Sequence, residues 1–185
     1  MTARTVLMYD SAGGEWPISG DGEGEFILAY AQDNGGWFNG AFYKTNVLLA
    51  QAKHPRAFIV QISSVAPGQP GVDGYDVEPG CLTPEEAAAC VAEDVKQGRR
   101  PFMYANSEET GWDYAACNAA LAKFGLALGP DHRVDFFLAD PDGFAVVPSR
   151  CIAKQFHWGP NVGINSFDTS IVLATAAFLQ KGDSA

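Results

Sequence analysis

The chain has 185 residues, which suits one domain. Hydrophobic residues make up 47% and charged residues 18%, so a packed core is within reach and disorder is not expected. The formal net charge of −10 speaks against non-specific nucleic-acid binding, and against docking on an anionic membrane or an acidic wall polymer through charge alone.

Residues 1–5 lead directly into an apolar run, without the charged and apolar regions of a Sec signal peptide. No stretch approaches the length of a membrane span, so membrane insertion is not expected. Short apolar, β-prone runs follow at 5–10, 25–30, 57–63, 72–77, 101–105, 134–139, 150–156 and 166–168. Near-continuous apolar runs of this length are what strands buried on both faces look like. The last has only three residues and reads as a strand or a turn. Helical patterns lie between them. At 41–53 the helix carries Val47, Leu48 and Leu49. At 83–97 Thr83 can cap the start, Pro84 fits the first turn and Glu86 completes a capping box; Ala87, Val91 and Val95 share one face, and Gly98 ends it. At 113–124 Tyr114, Cys117, Leu121 and Phe124 fall on one side, with Gly125 as the stop. A fourth helix is predicted at 170–180. Segments 11–24 and 64–71 are rich in Gly or Pro and read as loops.

Strands alternating with helices indicate parallel βα units, and eight strands suggest a closed barrel. The predicted fold is therefore α/β: one domain, 1–185, forming a small irregular (β/α) TIM-like barrel. The chain falls short of the ~250 residues typical of such barrels, so several outer helices must be missing. The competing fold is an open doubly wound sheet, but no dinucleotide fingerprint or P-loop accompanies any strand. Cys81, Cys90, Cys117 and Cys151 match neither a zinc ribbon nor a redox pair; they read as free and buried, with one or two disulfides left open.

In a β/α barrel the C-terminal ends of the strands face the active site. Acids recur there: Asp10 at the end of the first run, Asp76 and Glu78 at the end of the fourth, Asp140 after the sixth, Asp168 at the end of the eighth. Alternate residues of a strand share a side, so Asp76 and Glu78 project together while Val77 points away. Repulsion and partial burial should raise one pKa of the pair, which is what a general acid in glycoside hydrolysis needs. Glu78, the longer and outermost group, is the expected acid. Asp76, Asp10 or Asp168 would stabilise positive charge on the sugar. Trp16, Trp37, Tyr75, Tyr104, Phe156 and Trp158 fall near strand ends, where a sugar ring could stack on them; packing in the core is the competing reading for each. Trp37, among glycines and asparagines, is the one most expected to be exposed. His54, His132 and His157 are scattered, so neither a metal site nor a cofactor is expected; cation binding by Asp73, Asp76 and Glu78 is the lesser alternative.

The order of Asp10 on the first strand, Asp76-Val77-Glu78 on the fourth and Ser166-Phe167-Asp168-Thr169-Ser170 on the last resembles glycoside hydrolase family 25, the Chalaropsis-type lysozymes, and related phage and actinobacterial domains. Pro101-Phe102-Met103-Tyr104 is similar to that family's fifth strand, and Lys154-Gln155-Phe156 to its Trp-Gln-Tyr segment. The chain departs from the pattern before Gln155, before Ala139 and soon after Asp10, where the family carries Trp. The resemblance implies cleavage of the β-1,4 bond between N-acetylmuramic acid and N-acetylglucosamine. It implies Glu78 as proton donor assisted by Asp76, with Asp10 and Asp168 completing the cleft, and Trp16, Trp37, Tyr75, Tyr104, Gln155 and Trp158 as sugar contacts. The implied partner is peptidoglycan or a related glycan, with other phage proteins where the enzyme is carried by a virion. The implied place of action is the cell wall, reached by phage release or on the virion after synthesis in the cytoplasm. A non-catalytic glycan-binding or structural module on the same barrel is the alternative, and a hydrolase of another glycan is a third reading.

Overall fold

The computed structural model describes residues 4–11, 16–31, 41–64, 71–106, 110–157, 167–177 and 179, with the side chains of 41–46 excepted. Eight strands close into one barrel in chain order: β1 (Thr5–Asp10), β2 (Phe26–Tyr30), β3 (Phe58–Ser63), β4 (Gly74–Val77), β5 (Phe102–Asn106), β6 (Asp135–Ala139), β7 (Ala153–His157) and β8 (Asp168–Leu173). Neighbours from β1 to β7 pair in parallel. The closing strand β8 runs antiparallel to both β7 and β1.

This last strand corrects two expectations. The wholly parallel barrel is a mixed one, and the helix predicted at 170–180 is, over 170–173, strand. Ser170, Ile171 and Val172 belong to a β-prone sequence, and the barrel leaves a gap between β1 and β7 with unpaired backbone groups on both sides. Filling it satisfies two rows of hydrogen bonds, which a helix at the same place would not do.

Among the described residues three helices lie outside the barrel: α1 (Ala41–Lys53), α2 (Pro84–Lys96) and α3 (Tyr114–Ala122). The start of α2 is the predicted capping box: the Glu86 amide donates to the Thr83 hydroxyl at 3.2 Å and the Thr83 amide donates to Glu86 at 2.9 Å. Caps of this kind stabilise a helix by about 1 kcal/mol. Asp113 caps α3 by a single bond, its carboxylate accepting the Ala116 amide at 2.9 Å. The apolar face Ala87, Val91 and Val95 is buried as expected. α3 ends two residues earlier than predicted, so Phe124 falls beyond the helix and stays exposed.

The apolar residues form two layers. One lies between sheet and helices, where Tyr75, Val77, Met103, Phe136 and Leu138 meet Val91, Val95, Cys117 and Leu121. The other fills the barrel interior, where Met8, Leu28, Val60, Ile62, Phe102, Phe137 and Val172 pack together. Phe102 lies so close to β4 that a Cβ on Gly74 would come within 2.2 Å of its ring. Glycine is needed there for close approach, since the ring occupies the volume a side chain would take. These apolar groups plug the barrel below its upper rim, and the polar interior residues lie above them.

Candidate active site

The upper layer of the interior is built by strand alternation. Asp10 lies two residues beyond Met8 on β1, Asp76 two beyond Gly74 on β4, Tyr104 two beyond Phe102 on β5, and Gln155 two beyond Ala153 on β7. Cross-strand register aligns them: Asp76 pairs with Tyr104, Gln155 with Ser170, and Asp10 with Asp168. Asp168 was expected at the end of a parallel strand. It is instead the first residue of an antiparallel one, and the reversal brings it to the same rim, directly opposite Asp10.

Four predicted acids thus converge. Asp10 and Asp76 are buried, at 6% and 2% exposure, whereas Glu78 and Asp168 are half-buried. Burial, then the charges of Asp168 and Glu78, push the Asp10 carboxyl well above its usual range. Burial, then Glu78 and Asp10, do the same to Asp76. Like charges in a dry site resist simultaneous ionisation, so the cluster retains protons that isolated carboxylates would lose.

A tight turn presents the acid pair. Pro79 and Gly80 occupy its centre, Gly80 has φ 90°, and the Cys81 amide donates to the Glu78 carbonyl at 2.9 Å. This is the type II pattern, in which the third residue needs positive φ and is therefore glycine. The turn brings the Cys81 thiol to Asp76, to which it donates a hydrogen bond. Burial and the two carboxylates push that thiol far above its ordinary value, so it remains a donor.

On the other side, the Tyr104 hydroxyl donates to Gln155 Oε1 at 2.7 Å, and Gln155 Nε2 faces Asp168 Oδ2 at 3.5 Å. Burial and then Glu78, Asp76, Asp10 and Asp168 raise the Tyr104 hydroxyl well above its usual value, which keeps it protonated. Asp10 Oδ1, Asp76 Oδ1, Ser64 Oγ and Ser170 Oγ are buried without a hydrogen-bond partner among the described residues. Sequence reasoning missed Ser64 and Ser170. Both follow from alternation, Ser64 two residues past Ile62 and Ser170 two past Asp168.

Three sequence expectations are corrected by geometry. Tyr75 faces outward, is fully buried under α2, and donates to Asp94 Oδ2 at 2.7 Å; alternation with Asp76 puts it on the opposite side of β4. Trp16 is buried against Ile27, Ala29 and Ala50, with its ring edge-on to His54 at 6.1 Å, on the outer face of the sheet. Asp140 pairs with Lys154 Nζ at 3.2 Å, which also reaches Asp142 at 2.7 Å, and so tethers the β6–β7 loop. Trp37 and Trp158 lie outside the described residues. Phe156 is half-buried at the end of β7. Among the described residues no group of three or more His, Cys, Asp or Glu has the geometry to hold a metal ion, and the cysteines are all free, with Cys81 the least buried.

No protein-family model matches the chain, and no curated protein matches it by sequence. Among solved structures the chain is similar to a muramidase from Acremonium alcalophilum, at 11% identity over 89% of this chain and 92% of that one, with a TM-score of 0.46.

Proposed function

We propose that the protein is a glycoside hydrolase acting on peptidoglycan, with Glu78 as proton donor and Asp76, Asp10 and Asp168 as the acidic groups around it. The observation that supports this reading is the convergence of four carboxylates at one rim of the barrel, two of them held toward the protonated form by burial. An acid that keeps its proton near neutral pH can protonate a leaving oxygen, and neighbouring carboxylates can stabilise the oxocarbenium-like charge that develops. Glu78, at the outer edge of the pair and half-buried, is the acid that a glycosidic oxygen can approach; Asp76 lies beneath it. Tyr104 and Gln155 belong to the same wall, and delivery of the enzyme to the wall by a phage, by release or on a virion, is part of the proposal.

Wild-type protein should release reducing ends from purified peptidoglycan, and Glu78→Gln should abolish release while leaving the thermal unfolding midpoint near the wild-type value. Release by the variant at the wild-type rate would remove Glu78 from the mechanism. A second reading, a non-catalytic glycan-binding or structural module, is favoured by the near-complete burial of Asp76 and Gln155. Glycan binding without reducing-end release by the wild type would select it.

A further inference from the structure

Asp10 and Asp168 face each other across neighbouring antiparallel strands, a register in which Cβ atoms come within roughly 4.5–5.5 Å. Two anions at that distance in a partly dry site repel strongly, so one proton is shared unevenly between them. Which carboxyl keeps it depends on the donors each one meets. Asp10 is buried, accepts the Ser11 amide, and leaves Oδ1 without a partner. Asp168 is half-buried and faces the Gln155 amide nitrogen. The orientation of that amide is set by Tyr104, whose hydroxyl donates to Oε1. With Oε1 taken, only the NH2 group is left to face Asp168, and an NH2 group favours an ionised acceptor over a protonated acid. The reversed amide would turn its oxygen toward Asp168 and favour a proton there.

We infer that Tyr104 and Gln155 are positioning residues that fix the order of protonation in the acid cluster, holding Asp168 as the ionised member and leaving the proton on Asp10. The other titratable groups coupled to Asp10 are Asp76 on β4, Glu78 just beyond that strand and Tyr104 on β5; the two acids add negative potential, and none of the three is a cation. The inference goes beyond the proposed activity, because the proton order holds whether the site cleaves a glycan or only binds one. It also turns two residues expected to touch sugar into residues that act through a carboxylate.

The test is a carbon-13 NMR titration of aspartate carboxyl groups in the full chain, with Asp10→Asn and Asp168→Asn used to assign the two signals. In the wild type Asp168 should titrate at lower pH than Asp10. In Tyr104→Phe, which removes one oxygen from the ring, the Asp168 curve should move up and the Asp10 curve down. Gln155→Leu should do the same. A wild-type order with Asp168 above Asp10 would overturn the inference without any variant. So would unchanged curves in a folded Tyr104→Phe. Reducing-end release plays no part in these readings, so loss of the proposed activity and loss of the proton order are separately visible.

Discussion

At the scale of single residues, the proton balance of Asp76 has a consequence for stability. Its folded pKa lies above the ordinary value of 3.8. A group raised in this way binds more protons in the folded state than in the unfolded one. Its contribution is intact below the unfolded value and is lost as pH rises through the folded one. Asp76→Asn, which mimics the protonated acid, should therefore raise stability relative to wild type at neutral and alkaline pH and give no such gain near pH 3. Urea unfolding across that pH range would check this, and a gain largest at acid pH would contradict it. The same scale shows what the sequence made legible. Asp10, Asp76 and Glu78 were placed by the rule that strand ends carry the chemistry. Tyr75 and Trp16 were misplaced because proximity to a strand end does not say which face a side chain takes. Alternation with Asp76 would have turned Tyr75 outward.

At the scale of elements, β4 is held in position from behind. Asp94 on α2 accepts the Tyr75 hydroxyl, the Gly71 amide at 3.0 Å and the Arg99 guanidinium, and is itself fully buried. This network ties α2 to the strand that carries the acid pair. Tyr75→Phe should leave a buried carboxylate short of one donor and lower stability by about 1–3 kcal/mol. Because Tyr75 faces away from the acids, glycan binding should change little once the variant is compared under folding conditions. Denaturant unfolding and a binding isotherm would measure the two effects separately. The helices were legible where end signals and period agreed, as in α2 with its Thr83, Pro84 and Glu86. They were not legible at 170–180, because a short apolar run followed by alanines fits a helical period as well as a strand. The deciding factor there is a gap between two distant strands, which no local window contains.

At the scale of the whole molecule, the barrel separates two functions of its interior. Below the rim it is a dry plug around Phe102 and Phe137, whose ring centroids are 5.6 Å apart. Above the plug it is a ring of carboxylates, hydroxyls and an amide. The plug holds the acids at the mouth, above the packed side chains of Met8, Phe102 and Phe137. Gly74→Ala should test this arrangement: the added methyl collides with the Phe102 ring and should lower stability by roughly 1–3 kcal/mol, read from the denaturant midpoint. The closing strand makes the rim complete by running backwards, which places Asp168 opposite Asp10 although the chain direction differs from the expected one. Eight strands, one barrel and the four acids were readable from spacing; the mixed direction of the sheet was not.

The central claim is that glycan meets the chain at this rim. The most direct measurement is amide chemical-shift mapping of the full chain with soluble oligomers of N-acetylglucosamine and N-acetylmuramic acid, using Glu78→Gln to prevent turnover. The account predicts the largest shifts at Asp10, Ser11, Glu78, Cys81, Asn106, Gln155 and Asp168. Shifts centred instead on the cavity lined by Asp113, Tyr114, Ala115, Leu138 and Arg150, or no saturable shifts at all, would contradict it.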